Sequence, residues 1–169
     1  MNDKNPACAE AQMMIRQPVE KVFEAFIDPA ITENFWFTKG SGKLEPGKKL
    51  TWEWEMYNVS TPVIVKEIIK NEKILFDWDE DPKTVEFNFK SLRDGSTFVT
   101  VTECGYRETG GELLSVIKRS TGGFTVVLDG LKAYLEHNIQ LNLVADKFPK
   151  EIFDKDRLQE MYGDAIKEK

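Results

Sequence analysis

Apolar positions repeat with two different periods along this chain, and the changes between them divide it into three parts. Met13, Met14 and Ile15 lie in an apolar stretch that stops before Pro18, which predicts a strand over about residues 9–16. Val19, Val22, Phe23, Phe26 and Ile27 then fall at i, i+3, i+4, i+7 and i+8, one stripe of an amphipathic helix that Asp28-Pro29 ends. Residues 30–37 are expected to form a second short helix carrying Phe35, Trp36 and Phe37. After Gly40-Ser41-Gly42 the period becomes two. A short strand is expected at Lys43–Glu45, before a turn at Pro46-Gly47. Leu50, Trp52, Trp54 and Met56 then alternate with Thr51, Glu53 and Glu55. Further strands are expected at 63–69, at Ile74–Asp79, at Val85–Lys90 and, after an Asp94-Gly95 hairpin signal, at Phe98–Cys104.

The last third returns to a helical period. Gly110-Gly111 reads as a break, and residues 112–118 as a short helix or ordered loop. Phe124, Val127, Leu128, Leu131, Tyr134 and Leu135 describe a long helix from about Ser120 to Asn138. Gly122 and Gly123 fall in its first turn, either as a frayed start or as a point of close backbone approach. A charged tail follows, with a short helix expected near 154–167. Its Leu158, Met161, Tyr162, Ala165 and Ile166 form a stripe that needs a partner surface. The order β-α-α-β6-α with short turns implies an α+β fold: a curved antiparallel sheet of six to seven strands wrapped around the long C-terminal helix, with an internal cavity. Residues 1–142 would form this domain and 143–169 a C-terminal extension.

Composition narrows the function. The 169 residues carry 23 Lys+Arg and 29 Asp+Glu, a net charge of −6, and 41% of them are hydrophobic. That acidic balance argues against nucleic acid as partner, and no stretch is apolar enough for membrane insertion. One histidine, His137, cannot build a multi-histidine metal site, and no cofactor motif is found. Gly40-Ser41-Gly42-Lys43 resembles the end of a phosphate-binding loop but has Phe37 where a glycine is required. The acidic run Asp77, Asp79, Glu80, Asp81 fails as a calcium loop, because Pro82 and Asn88 replace its glycine and closing glutamate. It reads as a solvated turn. The Asn58-Val59-Ser60 sequon matters only in a secreted chain. Residues 1–10 are polar and show no secretory signal, so a cytoplasmic protein with reduced thiols is expected, Cys8 exposed and Cys104 half-buried.

Several stretches carry a resemblance. They are Pro18–Phe26 with Asp28-Pro29, Gly42–Gly47 with the tryptophan strand after it, Thr100–Glu103 with Gly105-Tyr106, and Gly123-Phe124 running into Val127–Glu136. Over roughly residues 9 to 140 the sequence resembles the helix-grip superfamily of START lipid-transfer domains and the birch-pollen allergen. Within it, the chain is similar to homologues of the C-terminal domain of the activator of heat-shock protein 90 ATPase. Phe124 departs from the family pattern, where Trp is common, as does the long tail. The resemblance implies a small apolar or amphipathic ligand held between sheet and helix. It also implies a second reading, a protein-interaction module in contact with a chaperone. In the eukaryotic co-chaperone a separate N-terminal domain makes the chaperone contact, and residues 1–8 are not expected to supply it.

The candidate ligand-binding residues are Phe26, Phe35, Trp36, Trp52, Trp54, Trp78, Phe89, Glu103, Tyr106 and Phe124. The aromatics either fill a core or line a pocket; three strand tryptophans favour a roomy interior. Glu103 shares strand parity with Val99 and Val101. If those face the helix, so does its carboxylate, unless the strand end is wet or a bulge flips the parity. Tyr106 and Arg107 stand near enough to partner it. A non-catalytic binder is the expected activity; the third reading is a cofactor-free cyclase or hydrolase using Glu103, Tyr106 or His137. The tail is expected to pack back on the domain or to support a homodimer.

Overall fold

A computed structural model of the chain describes residues 6–79, 82–153 and 155–162. Its elements run β1 (Cys8–Ile15), α1 (Val19–Ile27), α2 (Pro29–Thr32), β2 (Lys39–Gly40), β3 (Lys49–Trp54), β4 (Val59–Ile69), β5 (Lys73–Trp78), β6 (Lys83–Ser91), β7 (Thr97–Cys104), α3 (Gly110–His137), α4 (Leu143–Lys147) and α5 (Lys155–Tyr162). The strands form one antiparallel sheet in the order β1-β7-β6-β5-β4-β3-β2. Each neighbour from β7 to β2 is the next strand in sequence, as short turns require. The first strand closes the far edge by pairing with the last.

The inward face of the sheet follows from strand alternation. Ala9, Ala11 and Ile15 on β1 face the same side as Val99, Val101 and Glu103 on β7 and Val85, Phe87 and Phe89 on β6. Ile74 and Phe76 on β5, Val63 and Val65 on β4, and Leu50 and Trp52 on β3 complete it. α3 lies across this face. Its C-terminal half is held to β1 and the residues after it by three polar contacts. Lys132 Nζ donates to the Met14 carbonyl (3.0 Å), Gln17 Nε2 to the Leu135 carbonyl (2.9 Å), and the Arg16 amide to Glu136 Oε1 (2.7 Å). α1 closes one end of the sheet, where the Phe23 ring meets Phe89 at 5.3 Å and the Phe26 ring meets Phe87 at 4.6 Å.

Several local expectations are corrected. The second short helix stops at Thr32, where the Thr32 hydroxyl donates back to the Ala25 carbonyl (2.6 Å), so Phe35–Phe37 sit in the turn after it. The first short strand is at 39–40, not 43–45. β3 ends at Trp54 in a 3₁₀ turn, Glu55–Tyr57, closed by Asn58 in the left-handed conformation. β4 begins four residues early. Gly110-Gly111 starts α3 rather than breaking the chain before it, and residues 112–118 join the helix expected from about Ser120 in one 28-residue helix that runs through Gly122 and Gly123. The tail helix is described only to Tyr162, and Ala165 and Ile166 lie outside the described residues. Glu80 and Asp81 lie outside them too.

The cysteines differ most from expectation. Cys8 opens β1 and Cys104 closes β7, directly opposite each other in the register with Cα atoms 4.5 Å apart, and they are joined by a disulfide. Both are half-buried. Sequence separation hid this pair, because only the closure of β1 onto β7 brings residues 96 apart together.

Candidate functional site: a cavity under the first half of α3

α3 changes character at its middle. Its buried residues are Phe124, Val127, Leu128, Gly130, Leu131 and Leu135, all in the C-terminal half. No residue of the N-terminal half is fully buried, and a cavity of about 550 Å³ borders it, lined by Val116, Ser120 and Gly123 from that half. Trp36, Trp54, Trp78 and Phe124 supply aromatic wall, and Val59, Pro62, Val116 and Val127 supply aliphatic wall. Trp36 separates cavity from core: its ring packs on Trp52 (4.9 Å), Phe87 (5.9 Å), Phe37 (6.0 Å) and Phe26 (6.2 Å) on one side, and meets Trp78 and Phe124 (both 6.1 Å) of the cavity wall. Trp78 stacks on Phe124 at 5.7 Å.

One polar cluster is set into this wall. Glu103 is 1% exposed and occupies an inward position of β7, flanked across the strands by Ala9 and Val85. Strand parity therefore holds to the end of β7. Trp78 Nε1–H donates to Glu103 Oε2 (2.7 Å), and the Tyr106 hydroxyl (2.6 Å) and Ser120 hydroxyl (2.7 Å) both donate to Oε1. Each donor comes from a different element: β5, the loop after β7, and α3. Gly105, at φ 99°, lets the chain leave β7 and fold Tyr106 back over its strand end. Burial, and then the hydrogen bond to Glu103, push the Tyr106 phenol well above its ordinary range. It keeps its proton and serves as a donor.

The C-terminal extension covers part of this cavity. Val144, Lys147, Phe148 and Leu158 are among its lining residues, and Leu158 is buried. The Tyr57 hydroxyl donates to the Val144 (2.8 Å) and Ala145 (3.0 Å) carbonyls, and its ring meets Phe148 edge-on at 6.3 Å. Burial, with Asp146 nearby, raises the Tyr57 phenol. Gly123 also lines the cavity, and a Cβ placed there would meet nothing within 4 Å.

Of the ten candidate residues, six surround the cavity: Trp36, Trp54, Trp78, Glu103, Tyr106 and Phe124. The other four do not reach it. Phe26 and Phe89 pack with α1 at the closed end, Phe35 lies under Gly130, and Trp52 stacks on Phe37 (4.8 Å). Parity puts Trp52 and Phe89 on the correct face of the sheet but does not say which end of that face is filled. Ser120 and Tyr57 were not singled out from sequence; Gly123 and the extension were, but not as walls of this cavity. Ser120, Gly123, Phe124 and Val127 do stand at i, i+3, i+4 and i+7, one helical face, which is the signal that could have placed Ser120 and Gly123 there. His137 is exposed at the end of α3, away from this cluster. Asp77 and Asp79 are structural: Asp77 pairs with Lys66 (2.5 Å), and Asp79 pairs with Lys83 (3.1 Å) and accepts from Thr61 (2.8 Å). Among the described residues no group of His, Cys, Asp and Glu is arranged to hold a metal, and no helix is long and apolar enough to cross a membrane.

Comparison with known proteins places this architecture. No curated protein sequence matches the chain. Among solved structures, the protein SSP2350 from Staphylococcus saprophyticus is similar over 80% of this chain and 96% of its own, at 30% identity and a TM-score of 0.70. The Aha1 dimer from Colwellia psychrerythraea matches 78% of this chain and 97% of its own, at 18% identity and a TM-score of 0.67. DynU16, a putative protein in the dynemicin biosynthetic locus, matches 79% of this chain and 48% of its own, at 18% identity and a TM-score of 0.71. The last two share the fold. The sequence profile of the Activator of Hsp90 ATPase homolog 1-like proteins matches residues 16–136, which leaves the extension outside it. With most of its length matched by that profile, and with the sheet-and-helix architecture it shares with these structures, the chain belongs to the Activator of Hsp90 ATPase homolog 1-like family.

Proposed function

We propose that this protein binds one small apolar or amphipathic molecule in the cavity between α3 and the sheet, without transforming it. The observation that carries this reading is the break in packing along α3. A chain able to pack Leu128, Leu131 and Leu135 tightly keeps about 550 Å³ open one turn away, walled by aromatic rings. Interiors normally close such space, and apolar walls with a few placed polar groups are the usual composition of a ligand site. The polar groups at its inner wall are three neutral donors on one acceptor, Glu103, which keeps one position on Oε2 open. The Ser120 and Tyr106 hydroxyls share one oxygen of Glu103, and Tyr106 is held protonated, an arrangement that ties the walls together and favours binding over catalysis.

The Aha1 dimer from Colwellia psychrerythraea motivates a self-association reading for the tail. Here Leu158 of the tail stripe is spent within its own chain, against the cavity, which favours a monomer with its tail folded back. A contact with a chaperone would need a surface that no feature described above supplies, and a cytoplasmic location sits uneasily with the Cys8–Cys104 bond. Native mass spectrometry tests the reading. The expected result is a reproducible extra mass that disappears on denaturation, on a monomer. A protein that carries no extra mass and acquires none from apolar additives would count against it.

A further inference from the structure

Glu103 narrows the class of ligand, an inference that rests on the cavity being a ligand site. A carboxylate offers about four acceptor positions. Tyr106 and Ser120 take two on Oε1, and Trp78 takes one on Oε2, so one position on Oε2 is left. All three donors are neutral. Among the described residues no lysine or arginine pairs with Glu103, although its side chain is buried among apolar neighbours. Buried carboxylates ordinarily have a cation.

The other charges around the cavity do not supply one. Asp79 and Lys83 pair with each other. Glu108, Arg119, Lys147 and Glu160 also line it, two of each sign, and all four are half-buried or exposed. The outer lining is therefore mixed in sign, while Glu103, the one fully buried member of the polar cluster, is a carboxylate with three neutral partners.

We infer that the ligand is an apolar amine, which enters with its protonated nitrogen toward Glu103 Oε2 and its hydrocarbon or aromatic body among Trp36, Trp54, Trp78 and Phe124. The ammonium completes the acceptor positions of the carboxylate and supplies its missing countercharge. An alcohol of the same shape makes the hydrogen bond without the charge. A carboxylic acid, ionised at neutral pH, brings like charge against Glu103 and is rejected.

The test uses the full chain and three probes of equal length, decylamine, decanol and decanoate, kept below their micelle concentrations and titrated by tryptophan fluorescence and calorimetry. The expected order is amine, then alcohol, then acid. Amine and acid should be separated by at least about tenfold in Kd, the scale of one charge-assisted hydrogen bond. Glu103→Gln should collapse that separation. Because this substitution also perturbs the Trp78 bond, a second readout is made on the unaltered protein. The indole N–H resonance of Trp78 should move on adding decylamine and stay in place with decanoate. Decanoate binding as tightly as decylamine overturns the inference and leaves the cavity reading standing. So does an amine preference that persists in Glu103→Gln, or that comes without a shift at Trp78, since it then reflects only the acidic surface. Failure of all three probes to bind overturns the inference together with the reading beneath it.

Discussion

The two halves of α3 obey the same helical geometry and do opposite things. In the C-terminal half, Leu128 and Leu131 are completely buried, and Gly130 is pressed against Phe35 so closely that a Cβ would stand 3.1 Å from its carbonyl oxygen. In the N-terminal half no residue is fully buried, and Gly123 faces open space. Two glycines seven residues apart thus have opposite causes. One permits contact; the other leaves volume unfilled at a cost of about 1 kcal/mol in helix propensity. The half that lacks a packed core is held by other means: the Cys8–Cys104 bond at the end of β1 and β7, the three donors on Glu103, and the folded-back extension. A cavity can be kept only where something besides its own filling holds the walls apart.

This contrast predicts an order of effects. Leu131→Ala, in the packed half, should cost about 2–5 kcal/mol in chemical denaturation, while Val116→Ala over the cavity should cost under about 1 kcal/mol. Equal losses would erase the distinction. Reduction of Cys8–Cys104 should remove about 2–4 kcal/mol, with a thermal midpoint lower by about 5–15 °C. The loss should appear first as hydrogen exchange at the outer ends of β1 and β7, and uniform loosening would contradict the role given to that bond.

Glu136 sharpens the packed end. Burial acts to raise its carboxyl, but the Arg16 amide and Lys132 outweigh that and hold it below its ordinary value of 4.5. A depressed carboxyl contributes stability that is present above its unfolded value and is lost as pH falls through the folded one. Glu136→Gln should therefore cost about 1.5–3 kcal/mol at neutral pH. The gap between variant and unaltered protein should shrink below about pH 4.5, as thermal midpoints across pH would show. The smallest effects separate the two glycines by sign. Gly130→Ala should lose about 1–3 kcal/mol through overpacking against Phe35, and Gly123→Ala should gain about 0.5–1 kcal/mol. Two losses, or two gains, would mean that the halves are packed alike.

Much of this was legible from alternation and helical spacing. The strand parity of β7 offered Glu103 as inward if the strand end was neither wet nor bulged, and the 3.6-residue stripe of α3 named most of the packed half, missing Gly130 and adding the half-buried Tyr134. What was not legible depends on contacts distant in sequence. Nothing local marks Phe89 as core and Trp78 as cavity wall; both sit on the inward face, and only the position of α1 over one end of the sheet separates them. The glycine pair at 122 and 123 read as either a frayed helix start or a point of close backbone approach, because the reason a helix interior tolerates glycine is found only on the opposing surface. The disulfide required knowing that the first strand pairs with the last. The extension carried an apolar stripe, but its partner surface, beside Tyr57, is nearly a hundred residues away.

The account rests on the space under Gly123 being a ligand site rather than slack. Gly123→Leu adds a side chain at a cavity-lining position where a Cβ would meet nothing within 4 Å. Thermal unfolding together with titration of a neutral fluorescent apolar probe, N-phenyl-1-naphthylamine, measures both consequences at once. The account predicts an unchanged or higher midpoint and loss of probe binding. A folded variant that binds the probe as the unaltered protein does would contradict it.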